Sequence, residues 1–216
     1  MKKVVFTASA TKPNIVIEVP ELIEQDLLTI GHTSDVQPKF IVARYSQLRM
    51  KKDWELTGSS FNDGVGGNGS VTAFSVMGEE DDPNPMKAIE GDGSPLSYIQ
   101  AAMLYRDFDE YGRFWHSTQW AVETVLDDDL AEENNLFIDP DEMEYDPSMW
   151  TFITQVPTSY NPVYEENADT IVITYYSINP VMTETLYFNT HSFKKGSFVQ
   201  ELRVEEIATG QGGIIF

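Results

Sequence analysis

Residues 170–207 read TIVITYYSINPVMTETLYFNTHSFKKGSFVQELRVEEI, and this stretch decides the fold class. Three runs rich in β-branched and aromatic residues, Thr170 to Ser177, Thr183 to Ser192 and Phe198 to Ile207, are separated by the turns Ile178-Asn179-Pro180 and Lys194-Lys195-Gly196. Such residues fit a pleated, half-buried surface, and short polar turns join antiparallel neighbours. In the third run Phe198, Leu202 and Val204 fall on one face and Glu201, Arg203 and Glu205 on the other. That alternation sets one side against a core and the other against water. A further short strand over Gly213 to Phe216 is expected to close the sheet.

The N-terminal third repeats the pattern less cleanly. Lys3 to Ala8 and Asn14 to Val19 predict a hairpin turned at Lys12-Pro13-Asn14, while Glu21 to Ile30 fits a short helix or a strand equally well. Phe40 to Met50, Asp53 to Thr57 and Ser70 to Met77 predict strands, with a tight turn at Lys51-Lys52 and a loop over Gly58 to Gly69. Gly78 to Gly93 is a charged connector. Ser94-Pro95 then opens a helix, because serine caps and proline is preset for the first helical position. The apolar positions Leu96, Ile99, Ala102 and Met103 carry that helix to about Tyr105. A second helix is expected from Ser117 or Thr118 to about Glu133, fraying where Asp127 to Asp129 oppose its dipole, before an acidic loop over Asn134 to Ser148. The expected fold is thus mainly β, of the α+β kind: an antiparallel sheet, sandwich or barrel with one or two inserted helices. One domain is expected over 1–216, with an acidic loop-and-helix insertion at about 78–169.

Charge is the most pronounced compositional feature. The chain of 216 residues has 35 Asp and Glu against 14 Lys and Arg, a formal charge of −21. Residues 1–58 carry eight basic and seven acidic side chains, residues 170–216 three and four, and residues 59–169 three and 24, so the middle holds the whole imbalance. No Lys or Arg occurs between Arg113 and Lys194. Asp127, Asp128, Asp129, Glu132, Glu133, Asp139, Asp141, Glu142, Glu144 and Asp146 form the densest part. This field opposes binding to nucleic acid or an anionic membrane and favours a basic protein, a cation, or plain solubility.

Other classes fall away on chemistry. There is no cysteine, which excludes a disulfide scaffold and a thiolate metal site. No apolar run approaches the roughly 18 residues of a membrane span. Val4-Val5-Phe6 behind Lys2 and Lys3 is too short for a secretory core of about 7–15 apolar residues, so a cytoplasmic setting, or assembly into a particle, is expected. Gly64-Val65-Gly66-Gly67-Asn68-Gly69 has the spacing of a dinucleotide fingerprint, but a strand follows it where a helix is needed. The same glycines suit a kinase loop, yet Gly112 stands where the catalytic Asn after Tyr105-Arg106-Asp107 belongs, and no Asp-Phe-Gly occurs. Asn161-Pro162-Val163-Tyr164 is a turn initiator. Asp139, Asp141 and Glu144 are candidate oxygen ligands for calcium, but the loop lacks the EF-hand glycine. No other metal site and no cofactor is expected.

Two further groups carry possible chemistry. Tyr105, Phe108, Tyr111, Phe114, Trp115 and Trp120 form an aromatic belt, suited to stacking on a sugar or cation. Asp107, Asp109 and Glu110, near Trp115 and His116, supply carboxylates of the kind glycoside hydrolysis uses. The function expected from the sequence is a non-enzymatic interaction or assembly protein that turns an acidic face to a basic partner. It would act as an inhibitor or immunity-type protein, or as a structural component of a virion-like particle bound to copies of itself. A small-ligand β-barrel lined by the aromatic belt and a carboxylate-based hydrolase are the alternatives.

Overall fold

A computed structural model describes residues 4–9, 12–18, 29–30, 37–62, 66–76, 81–115, 118–119, 123–137, 150–180 and 183–210. In chain order the elements are β1 (Val4–Ser9), β2 (Lys12–Glu18), β3 (Thr29–Ile30), α1 (Pro38–Val42), β4 (Leu48–Met50), β5 (Trp54–Asn62), β6 (Gly66–Ser75), β7 (Asp81–Asp82) and β8 (Ile89–Gly91). There follow α2 (Pro95–Asp109), β9 (Phe114–Trp115), β10 (Thr118–Gln119), β11 (Glu123–Val125), α3 (Asp128–Glu133), β12 (Trp150–Phe152), β13 (Val163–Glu166), β14 (Thr170–Asn179), β15 (Thr185–Lys194) and β16 (Gln200–Gly210).

The C-terminal strands form the centre of an antiparallel sheet ordered β1-β2-β13-β14-β15-β16-β12, with β11 and β3 attached beside β14. The sheet is open, its path ending on β1 and β12, so the architecture is a layered α+β fold and not a barrel. Gly196, at φ +81°, makes the turn before β16, where the Ser197 amide donates to the Lys194 carbonyl at 2.9 Å. A second antiparallel sheet, ordered β10-β9-β6-β5 with β7 on β6, and the small pair β4-β8 come from the chain between β3 and β11. Residues 78–169 supply α2 and, in the main sheet, β11, β12 and β13, the last lying between β2 and β14.

Helix α2 lies between the layers. Ser94 caps it by accepting from the Ser97 amide at 3.2 Å. Tyr98, Ile99, Ala101, Ala102, Met103, Leu104 and Phe108 are all buried, the all-round burial of a helix sandwiched in a core. Tyr98 packs on Tyr164, Phe193 and Phe198 of the main sheet layer. The main core joins this helix to Ile171, Ile173 and Tyr175 on one side and Ile41, Val71 and Ile89 on the other.

Three expectations change. Phe40 to Met50 is not one strand. Gln37 is extended, Pro38 starts α1, and the strand begins only at Leu48. The physical reason is proline at the first helical position, with Ile41, Val42 and Tyr45 turned inward. The glycine-rich stretch Gly58 to Gly69 is largely sheet: β5 and β6 pair from Trp54↔Ser75 out to Asn62↔Gly67. A Cβ at Gly69 would sit 2.7 Å from the Ser59 and Tyr111 carbonyl oxygens, so glycine there permits close approach of two backbones. Finally, no helix spans 118–133. Val125 and Glu123 point inward from strand β11, and α3 is a six-residue helix starting after Asp127. The expected strand at Gly213 to Phe216 and most of Glu21 to Ile30 lie outside the described residues.

Candidate functional site

The acidic run divides into structural and unengaged carboxylates. Asp127 is extended, and its Oδ1 accepts from the Leu130 amide at 2.8 Å, the N-cap of α3. Asp128 accepts from the Tyr160 amide at 2.6 Å, from Asn161 Nδ2 at 2.6 Å and from Ser159 Oγ at 3.1 Å, while its own amide donates to Asn161 Oδ1. These bonds tether the helix start to the turn that leads into β13, which is what Asn161-Pro162 does here. Ala131 is buried with Leu126, Leu136, Tyr160, Ile178 and Leu186, a second core on the far face of the main sheet. Asn135, at φ 55°, ends the helix in the left-handed conformation.

Asp129, Glu132 and Glu133 are left exposed on the outer side of α3. Among the described residues none of the ion pairs involves them. Phe137, 40 % exposed, lies just beyond them against Tyr160, with ring centroids 5.1 Å apart. Asp139, Asp141, Glu142, Glu144 and Asp146 lie outside the described residues, and with them the calcium candidates Asp139, Asp141 and Glu144. Among the described residues no group of three or more carboxylates and histidines is arranged to hold a metal ion. No helix there is long and apolar enough to cross a membrane.

The aromatic belt is not one surface. Tyr105, Phe108 and Asp109 line a cleft of about 340 Å³ between α2, the middle of β6 and the Pro83-Asn84-Pro85 segment. Tyr111 turns away and is buried, its ring filling the space over Gly58 and Gly69. Trp115 belongs to β9, and Trp120 and His116 lie outside the described residues.

The three carboxylates near the end of α2 also separate. Asp107 is fully buried and accepts from the Tyr45 hydroxyl at 2.6 Å, with Arg44 at 3.4 Å. Burial, and then the Asp107 charge, hold the Tyr45 hydroxyl far above its ordinary pKa, so it stays a donor. Asp109 is exposed between Arg113 at 3.4 Å and Arg106 at 3.6 Å. Glu110 is buried, with Oε1 held by Arg113 at 2.7 Å and Oε2 without a hydrogen-bond partner among the described residues. Burial raises its pKa to about 7 against the pull of Arg113 and Arg106.

A buried polar chain not anticipated from the sequence runs from this helix into the sheet. Arg106 Nη2 donates to Glu123 Oε2 at 2.5 Å, Ser177 Oγ donates to Glu123 Oε1 at 2.8 Å, and Asn189 Nδ2 donates to Ser177 Oγ at 2.8 Å. Beside it Tyr175 and His191 Nε2 share a hydrogen bond at 3.1 Å. Burial, and then the Arg106 charge, lower the His191 pKa to about 3, so the ring is neutral near pH 7. The available signal was polar residues at inward positions: Ser177 follows Ile171, Ile173 and Tyr175 in alternation, and Asn189 and His191 precede Phe193. These groups are enclosed, and the chain fixes α2 on the sheet through a paired buried charge.

The chain matches no protein-family model, no curated protein and no solved structure.

Proposed function

We propose that this protein is a non-catalytic interaction protein that presents an acidic surface, with Asp129, Glu132 and Glu133 on α3 at its described part, to a basic protein partner. The observation that carries this reading is the division within the acidic run. Asp127 and Asp128 are consumed by the fold, whereas the three carboxylates beside them are exposed, with no cation against them among the described residues. Such a surface steers a basic partner and repels nucleic acid. The inhibitor and assembly-component versions both fit this surface.

The carboxylate alternative gains less support, since Asp107 is enclosed by Tyr45 and Asp109 and Glu110 are held by arginines. A small-ligand reading has one specific observation in its favour, the cleft lined by Tyr105 and Phe108. It places the ligand in an open cleft between layers, not inside a barrel.

The test is capture from native host lysate on immobilised protein, wild type beside the triple variant Asp129→Asn, Glu132→Gln, Glu133→Gln. A basic protein is expected to be retained by the wild type at low salt, released as salt rises, and depleted on the variant. Identical capture by both would show that these carboxylates serve solubility alone, and thermal stabilisation by a small molecule would favour the cleft.

A further inference from the structure

Asn68 is the one asparagine in the chain that glycine follows. It stands on β6 near the tip of the β5–β6 hairpin, opposite Phe61, with only the Asn62↔Gly67 pair beyond it. In an antiparallel ladder, pairs that exchange hydrogen bonds alternate with pairs that do not. The Val76 amide donates to the Asp53 carbonyl at 3.0 Å, which fixes the phase. Along the unbroken register Asn68 and Phe61 then exchange bonds, and Gly69 and Ser60 do not. The Gly69 amide therefore points away from β5. β9 does not engage it either, since that strand pairs with Gly66 and Gly67. It donates instead to Asn68 Oδ1 at 2.8 Å.

That contact sets the two ends of a five-membered ring side by side. The carboxamide carbon of Asn68 is one C=O bond, about 1.23 Å, from Oδ1, so it lies within about 4 Å of the Gly69 nitrogen. Reacting atoms in a near-attack arrangement stand about 3–3.5 Å apart. Glycine has no side chain to shield its nitrogen, and Asn68 is exposed to water. We infer that Asn68 is a self-modification site of the folded protein, deamidated through attack by the main-chain nitrogen of Gly69. The Gly69 nitrogen gives its proton to hydroxide, and its electron pair forms a bond to Asn68 Cγ. The Cγ–Nδ2 bond breaks, and Nδ2 takes a proton from water and leaves as ammonia. Water then adds to either carbonyl of the succinimide and opens it to aspartate or isoaspartate.

Both products place a carboxylate on β6 directly before Gly69 and Ser70, which line the cleft. Isoaspartate also lengthens the main chain by one methylene. There is no room for that, because a Cβ at Gly69 would already sit 2.7 Å from the Ser59 and Tyr111 carbonyl oxygens. The isoaspartate form must shift the cleft wall, so the cleft changes as the molecule ages. Ring closure turns the Asn68–Gly69 peptide and breaks the Phe61↔Asn68 pair, an opening that costs little near the end of a ladder. Other asparagines lack this combination. Asn84, Asn161 and Asn179 precede proline, which has no N–H to give up, and Asn189 is buried with its amide on Ser177. The site is separate from α3 and does not rest on the partner reading.

The experiment is storage of the full chain at neutral and at mildly alkaline pH in water enriched in heavy oxygen, with its peptides mapped over time by tandem mass spectrometry. Folded wild type, wild type unfolded in urea and folded Asn68→Gln are compared. In the folded wild type Asn68 is expected to take up one heavy oxygen ahead of every other asparagine. Its rate is expected to rise with pH and to lie within about tenfold of that in urea, because only the hairpin tip must open. Asn68→Gln, whose ring would have six members, is expected to stay unchanged at that position. Asn68 left intact in the folded chain after about ten of its half-lives in urea would overturn the inference. So would earlier reaction at another asparagine, or a rate indifferent to pH.

Discussion

Glu110 has one carboxylate oxygen on Arg113 and the other enclosed, with no hydrogen-bond partner among the described residues. Its pKa of about 7 lies above the ordinary 4.5 because burial outweighs both arginines. Between those two values the folded chain holds a proton that the unfolded chain has released. The site's contribution to stability therefore falls as pH rises from about 4.5 to 7 and is level above that, by up to about 3 kcal/mol. Glu110→Gln is expected to gain about 1–2 kcal/mol at pH 8, and the gain to shrink toward zero near pH 5, read from urea midpoints at each pH. A pH-independent difference would show that Glu110 is ionised in the fold throughout. His191 acts oppositely, since its lowered pKa removes stability as pH falls below about 6.5. Comparing variant with wild type at each pH separates the two.

At the scale of elements, α3 shows how far local reading goes. The sequence places Asp127 to Asp129 near the end of a long helix, where they would oppose its dipole. In the fold they stand at the start of a short one, where the same charges are favourable. What misleads is spacing: Trp120, Val122, Val125 and Leu126 suit a helical face, but β11 is recruited into the main sheet by pairing with Ser177 and Ile178, a long-range contact no local window contains. The Ser94 cap and the three C-terminal strands were legible because their signals are local. The tether through Asp128 gives a direct check. Asp128→Ala is expected to cost about 2–3 kcal/mol, since it strips the Tyr160 amide and Asn161 of their acceptor, and Asp127→Ala about 1 kcal/mol. Asp129→Ala is expected to change stability by less than about 0.5 kcal/mol. Equal costs at 128 and 129 in chemical denaturation would contradict the division between structural and unengaged carboxylates.

Across the whole molecule, function was less legible than fold. Composition located the charge, but only three-dimensional pairing separates the carboxylates that build the chain from those that face outward. The aromatic belt shows the same limit. Its members are close in sequence, yet Tyr105 and Phe108 face a cleft while Tyr111 fills the space over two glycines. The polar chain from Arg106 to Asn189 joins residues 83 positions apart and becomes visible only once α2 is laid on the sheet. Once those pairings are made, Asp129, Glu132 and Glu133 on α3 are left facing outward, with no ion pair to them among the described residues.

The most direct measurement is the salt dependence of affinity between this protein and the basic partner it captures, for the wild type and for the Asp129→Asn, Glu132→Gln, Glu133→Gln variant. Wild-type affinity is expected to fall steeply between about 0.05 and 0.5 M salt, because exposed charges are screened over that range. The variant should bind more weakly at low salt, with a shallower slope, and converge on the wild type at high salt. Coincident curves for the two proteins would contradict the claim that these carboxylates form the partner surface.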